Sequence, residues 1–128
     1  VTVVGVGTDL VEVERFRKAI TRTASLADRL FSEDERSYAR DQQDPAKSLA
    51  ARFAAKEAVM KALRVGLGDV DFRDIEVVRQ DGGAPVLAVR GRAERLAAAR
   101  GITDWLVSLS HTDSVAMAVV IAVSGAPG

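Results

Sequence analysis

The stretch from Asp44-Pro45 to Leu63 restricts what this chain can fold into more than any other part of it. Asp followed by Pro suits a helix start. The carboxylate accepts from unbonded N–H groups of the first turn, and proline supplies the right φ with no N–H to leave unpaired. Gly66 and Gly68 end the helix and open a loop. Within it, Ala51, Ala54, Ala55, Ala58 and Ala62 fall on one side, a face of small residues that permits close packing. Phe53, Glu57 and Lys61 recur at i, i+4, i+8 on a different stripe, with Lys56 and Met60 beside it. This is the longest helix the sequence predicts.

Before it, residues 2–7 read as a buried strand whose glycines, Gly5 and Gly7, imply a bend or a close backbone approach. From Glu12 to about Arg22 the period turns helical. Val13, Phe16 and Ile20 recur on one side, and Arg15, Lys18 and Arg22 form another stripe. Ser32-Glu33-Asp34-Glu35 has the form of a capping box, so a short helix starts at Glu33.

Beyond the long helix the period changes. Residues 75–79 and 85–89 read as strands joined by the turn Gln80-Asp81-Gly82-Gly83. Residues 92–100, rich in Ala and Leu, read as a helix stopped by Gly101. Residues 105–111 and 115–123 form a second pair of strands around Thr112-Asp113-Ser114, the last strand being central. The order β-α-α-α-β-β-α-β-β is that of an α+β fold with antiparallel hairpins in its second half. With 128 residues and no repeat or linker, the chain reads as a single domain over residues 1–124 with a frayed tail at 125–128.

Composition narrows the chemistry. There is no cysteine, which removes disulfides, thiolate catalysis and Cys-based zinc sites, and the lone His111 removes any multi-histidine metal centre. Lys and Arg number 18 against 18 Asp and Glu, so the net charge of zero speaks against bulk nucleic-acid binding or a polybasic membrane anchor. No apolar run approaches the roughly 20 residues of a membrane-spanning helix, and the start lacks a signal-peptide pattern; a cytoplasmic protein is expected.

Three places carry reactive groups. Asp9 follows the glycine-containing strand. An acid at a strand's end sits on rigid backbone beside an open loop, where it serves a metal or phosphate site or simply closes a turn. Glu57 has Lys61 one turn later in the favourable order for a surface ion pair. Flanked by Phe53 and Met60, it reads also as a partly buried carboxylate that needs Lys61 or a cation. Ser110-His111-Thr112, with Asp113 next, makes a poor Ser–His–Asp triad. Neighbours on an extended chain point to opposite faces, and no glycine elbow surrounds the serine. His111 is then either a structural strand-end imidazole or a polar ligand contact. Asp9 and Glu57 together suit Mg²⁺, an ion that keeps several waters and takes one or two carboxylates plus substrate phosphates. Arg52, Lys56, Lys61 and Arg64 could balance a di- or triphosphate-like substrate. No EF-hand, zinc or Walker A pattern is present.

These residues match a known family. Gly5-Val6-Gly7-Thr8-Asp9-Leu10-Val11-Glu12-Val13 resembles the G-I/V-G-x-D-I/L-V-x-I/V signature of holo-acyl-carrier-protein synthases. Residues 52–63 resemble their central R-F/W-A-x-K-E-A-x-x-K-A motif, and 108–112 with 115–120 their S-I/L-S/T-H-x segment and closing strand. The resemblance implies the 4′-phosphopantetheinyl transferase fold, an antiparallel sheet packed on a long helix. It implies transfer of phosphopantetheine from coenzyme A to a serine of apo-acyl carrier protein, or of a carrier domain in a fatty acid synthase, with release of adenosine 3′,5′-bisphosphate. By position, Asp9 and Glu57 match the Mg²⁺ ligands. Arg52, Lys56 and Lys61 match positions lining the nucleotide and phosphates. Ser110, His111 and Thr112 match the segment near the adenosine and its 3′-phosphate, and Gly66 belongs to a loop contacting coenzyme A. Lys61 helps hold the leaving group, and Glu57, directly or by way of a water, is the candidate base. Arg15, Lys18 and Arg22 fall on the helix that docks the acidic carrier protein.

The chain departs from the family where Arg64 and Val65 replace Gly and Thr or Ser after the central motif. Members of this short type form homotrimers with active sites between subunits, so a monomer is expected to be inactive. Two other readings keep parts of the pattern: a non-catalytic coenzyme A-binding or carrier-docking module, and an unrelated Mg²⁺-dependent phosphohydrolase.

Overall fold

In the computed structural model, which describes residues 1–79 and 83–125, helix α4 (Pro45–Leu63) packs on a three-stranded antiparallel sheet. The strands are β1 (Thr2–Glu12), β4 (Asp104–His111) and β5 (Val115–Ser124), ordered β1-β5-β4 with β5 central as its apolar run predicts. A separate antiparallel pair, β2 (Ile75–Arg79) and β3 (Pro85–Val89), stands beside β4. Around α4 lie α1 (Val13–Arg22), α2 (Leu26–Leu30), α3 (Glu33–Arg40) and α5 (Gly91–Ala99). This is the α+β fold read from the sequence.

The glycines and alanines explain the closeness of β1 and α4. A Cβ built on Gly5 would collide with the carbonyl oxygen of Ala62, and one on Gly7 with that of Ala58, whose carbonyl carbon would lie 2.7 Å away. Only glycine on the strand lets the two backbones touch. Ala54, Ala58 and Ala62 are 4% exposed or less. Alternation then assigns the sheet's faces. Gly7, Val120 and Val107 form one inward row, and Asp9, Ala118 and Leu109 the next. Val6, Ile121 and Leu106 form an outward row, in which Val6 is 60% exposed and Leu106 54%.

A second apolar cluster fills the space between α1–α3 and the first half of α4, with Val13, Phe16, Phe31 and Leu49 at its centre. Asp44 caps α4 by accepting from the Lys47 N–H at 3.3 Å. The same carboxylate takes a bidentate pair from Arg17 at 2.8 and 2.9 Å, fastening α1 to the start of α4. The capping box at Ser32 and Glu35 is formed in full.

The structure differs from the sequence reading at several elements. Strand β1 runs on to Glu12 instead of stopping at Gly7, because the length of β5 offers pairing as far as Val115; Asp9 therefore lies inside a strand rather than at its end. Helix α2 was not expected, being too short to show a period. Helix α5 begins at Gly91, one residue earlier than read. The expected turn at residues 80–83 lies outside the described residues except for Gly83, and the expected frayed tail does so except for Gly125.

Candidate functional site

Close contact between β1 and α4 brings Asp9 and Glu57 together. Asp9 points inward beside the helix face on which Ala58 follows Glu57. Lys61, one turn further on, donates to Asp9 Oδ1 at 3.1 Å and to the Thr8 carbonyl at 2.9 Å. Burial pushes the Glu57 carboxyl above the usual carboxylate range, the Asp9 charge adds to that rise, and Lys61 opposes it. Two carboxylates that repel each other, with one lysine shared between them, form a site with an unmet need for positive charge. Among the described residues no cluster of three or more His, Cys, Asp or Glu exists to enclose a metal ion. A two-carboxylate set fits a hard ion such as Mg²⁺, which completes its coordination with water and phosphate oxygens.

The carboxylates open onto a cavity of about 590 Å³, walled by apolar side chains of α1, α2 and α4. Phe53 forms its floor, stacked on Phe72 at 5.7 Å and tilted against Phe16 at 5.4 Å. Arg15 and Leu67 lie on its rim. A polar end and an apolar body of this kind suit a ligand with a phosphate at one end and a long uncharged arm. Gly66 stands in the loop after α4, its N–H held by Asp69 Oδ2 at 2.7 Å.

A second cavity, of about 620 Å³, holds Arg52 and His111 together with Tyr38, Lys47 and Arg79. The two cavities share no lining residue. The candidates read from the sequence therefore divide, with Asp9, Glu57 and Lys61 at one place and Arg52 and His111 at another. Arg52 is 2% exposed, and burial pulls its guanidinium below the usual range. Ser110 belongs to the outward row with Leu10 and Met117, so it faces away from His111, as strand alternation requires. The Thr112 hydroxyl accepts from the Ser114 and Val115 N–H groups at 3.3 and 3.1 Å and shapes the β4–β5 turn.

Lys56 has a different place from the one its motif suggests. It is fully buried, its ammonium pairing with Glu35 at 2.8 Å and donating to the carbonyls of Phe72, at 2.8 Å, and Ile75. Its three protons are thereby taken within the protein. Burial pulls its ammonium down and Glu35 opposes that shift. Glu35 also accepts from the N–H groups of Val77 and Ser32, each at 3.1 Å. One ion pair thus ties α3, α4 and β2. Arg64 takes the left-handed conformation at the end of α4, with φ 59° and ψ 43°, which glycine adopts without strain. The sequence reading missed Tyr38, Arg79 and Glu35: the first two belong to no motif, and Glu35 was visible only as a capping residue.

The chain resembles known proteins over nearly all of its length. The family model described as the 4′-phosphopantetheinyl transferase superfamily matches residues 5–120. A holo-acyl-carrier-protein synthase of Streptomyces avermitilis is 48% identical over 121 residues, which are 94% of this chain and 98% of that one. The crystal structure of the synthase from Neisseria meningitidis superposes with a TM-score of 0.88 at 29% identity, covering 96% of this chain and 100% of that one. One from Bacillus anthracis, in complex with CoA (3′,5′-ADP), superposes with a TM-score of 0.80 at 32% identity over 98% of this chain and 100% of the other.

Proposed function

The chain belongs to the 4′-phosphopantetheinyl transferase superfamily, and on that premise we propose that it is an enzyme moving 4′-phosphopantetheine from coenzyme A to a serine of apo-acyl carrier protein. The observation that carries the reading is the convergence of Asp9, Glu57 and Lys61 at the polar end of an apolar cavity.

In this reaction the acceptor serine Oγ bonds to the β-phosphorus of coenzyme A. The bond from that phosphorus to the bridging oxygen breaks, and adenosine 3′,5′-bisphosphate leaves. Asp9 and Glu57 would hold Mg²⁺, which when bound neutralises charge on the pyrophosphate oxygens. Glu57, which opens onto the cavity beside Asp9, is the candidate base for the serine proton, directly or by way of a water. Lys61 steers Asp9 and places its ammonium beside the leaving phosphate. The apolar walls formed by Phe16, Phe53 and Phe72 receive the pantetheine arm and keep bulk water from the reacting phosphorus.

Arg15, Lys18 and Arg22 are exposed along α1 and make no ion pair among the described residues, which suits an acidic carrier docking beside the cavity rim. The carrier is that of fatty acid synthesis, free or as a domain of a larger synthase. The working form is a homotrimer. Arg52 and His111 line a cavity separate from the one that holds Asp9 and Glu57, which supports a site completed by a neighbouring subunit. The transferase occupies residues 1–124 and acts in the cytoplasm, where its nucleotide donor is found. Among the described residues no helix is long and apolar enough to cross a membrane.

Mass spectrometry of an apo-carrier incubated with coenzyme A and Mg²⁺ tests this reading. A phosphopantetheine mass gain is expected, with Asp9→Ala and Glu57→Ala each lowering kcat/KM by about a hundredfold or more. Wild-type rates for both variants at limiting Mg²⁺ would refute the site.

A further inference from the structure

One wall of the apolar cavity comes from a segment with little structure of its own. Residues 66–74 lead from α4 into β2, and their one regular feature is a single 3₁₀ turn at Phe72–Asp74. Among the described residues, two hydrogen bonds reach this segment from beyond its own flanks: the Lys56 ammonium donates to the Phe72 carbonyl at 2.8 Å, and the Arg90 N–H to the Asp74 carbonyl at 2.7 Å.

Both donors belong to residues of one polar network. Lys56 pairs with Glu35, Glu35 accepts the Ser32 N–H, the Ser32 hydroxyl donates to Glu76, and Glu76 accepts from Arg90 Nη2 at 3.1 Å. Lys56, Glu35 and Glu76 are 6% exposed or less. A buried network of this kind is stiff, because moving one member leaves another unpaired.

Phe72 turns that stiffness toward the ligand. Its carbonyl is held by Lys56, while its ring lines the cavity and stacks on Phe53 at 20° from parallel. Phe53 precedes Lys56 by three residues on α4. Neighbouring positions of one helix thus supply the ring that Phe72 covers and the ammonium that fixes its backbone. Lys56 itself does not line the cavity.

We propose that Lys56 is a positioning residue for the donor's arm: it holds Phe72 against Phe53 as the wall on which the uncharged arm of coenzyme A packs. The inference rests on the transfer reading above. A ring already in place binds without being ordered first, whereas a ring free to move loses affinity to that ordering. Loss of Lys56 should therefore weaken the hold on the part of the donor that meets Phe72 and spare the nucleotide.

Titration calorimetry with coenzyme A and with adenosine 3′,5′-bisphosphate, which lacks the phosphopantetheine, separates the two parts. The variant to use is Glu35→Gln with Lys56→Met, since removing one partner alone strands a buried charge. It should bind coenzyme A about tenfold more weakly, and the bisphosphate within about twofold of the unaltered protein. Phe72→Ala should give the same pattern, and adding it to the paired variant should weaken binding no further, because both act through one ring. In transfer assays the KM for coenzyme A should rise by a similar factor while kcat changes by less than about threefold. Equal losses for the two ligands, an unchanged affinity for coenzyme A, or losses that multiply in the combined variant each overturn the proposal. A paired variant that fails to fold in thermal melts overturns it too, since Lys56 then holds the whole fold rather than one wall. Should no carrier gain mass while the calorimetric pattern appears, the transfer reading fails and the positioning role stands. Should transfer proceed with the same KM in every variant, the positioning role fails and the transfer reading stands.

Discussion

Lys56 and Glu57 are adjacent in the chain and have opposite fates. Lys56 is enclosed with Glu35 and two carbonyls, while Glu57 opens onto the cavity with Asp9. Consecutive helical positions are about 100° apart, so one motif places a structural lysine inward and a reactive acid outward. Asp44 serves structure in a similar way. The Arg17 guanidinium holds its carboxyl down, from an ordinary 3.8 to about 2. A depressed carboxyl contributes stability that is present above its unfolded value and is lost as pH falls through the folded one. Asp44→Ala should therefore cost about 1–2 kcal/mol near pH 7, where cap and clamp are both made. In denaturant titrations that deficit should shrink between about pH 4 and pH 2; a deficit unchanged across this range would show that the charge contributes nothing.

At the level of elements, the contact between β1 and α4 decides the site. Strand and helix meet backbone to backbone at Gly5 and Gly7, and the next inward residue after Gly7 is Asp9. The separation of the elements and the spacing of the carboxylates are thus one quantity. Gly7→Ala sets a methyl group against the Ala58 carbonyl and forces the elements apart. It should destabilise the fold by about 4 kcal/mol or more, or prevent folding. Circular dichroism melts would check this, and a variant that melts with the unaltered protein would contradict the packing. At the same, C-terminal end of α4, the left-handed Arg64 shows why glycine suits the position that follows the central motif.

In the molecule as a whole, the outward sheet face and the separate cavities point the same way. Val6, Ile121 and Leu106 lie side by side across three strands, with Val119 in the next outward row and Leu10 and Met117 in the row beyond it. An apolar sheet face left open in one chain suits an interface with another, as the proposed assembly requires. Leu106→Glu places a charge on that face, remote from both cavities. Where the proposed trimer forms through this face, sedimentation should show the variant as monomers, and transfer should fall with it. A monomer with full activity would rule out a site built between subunits.

The sequence by itself determined the elements and the reactive groups. The Asp44-Pro45 start, the alanine face, the glycine pair and the closing hairpin are local or periodic signals, and all appear in the structure at or near the expected residues. Asp9, Glu57 and Lys61 were legible because a motif holds them at fixed offsets on elements whose period is known. What only the tertiary structure decided was partnership: Lys56 with Glu35, Arg52 with Tyr38, Asp44 with Arg17, and the division of the expected ligand residues between two cavities. Each of those pairings joins residues at least 14 positions apart. Periodicity reports which way a side chain faces relative to its own element, whereas burial and pairing depend on which other element arrives there.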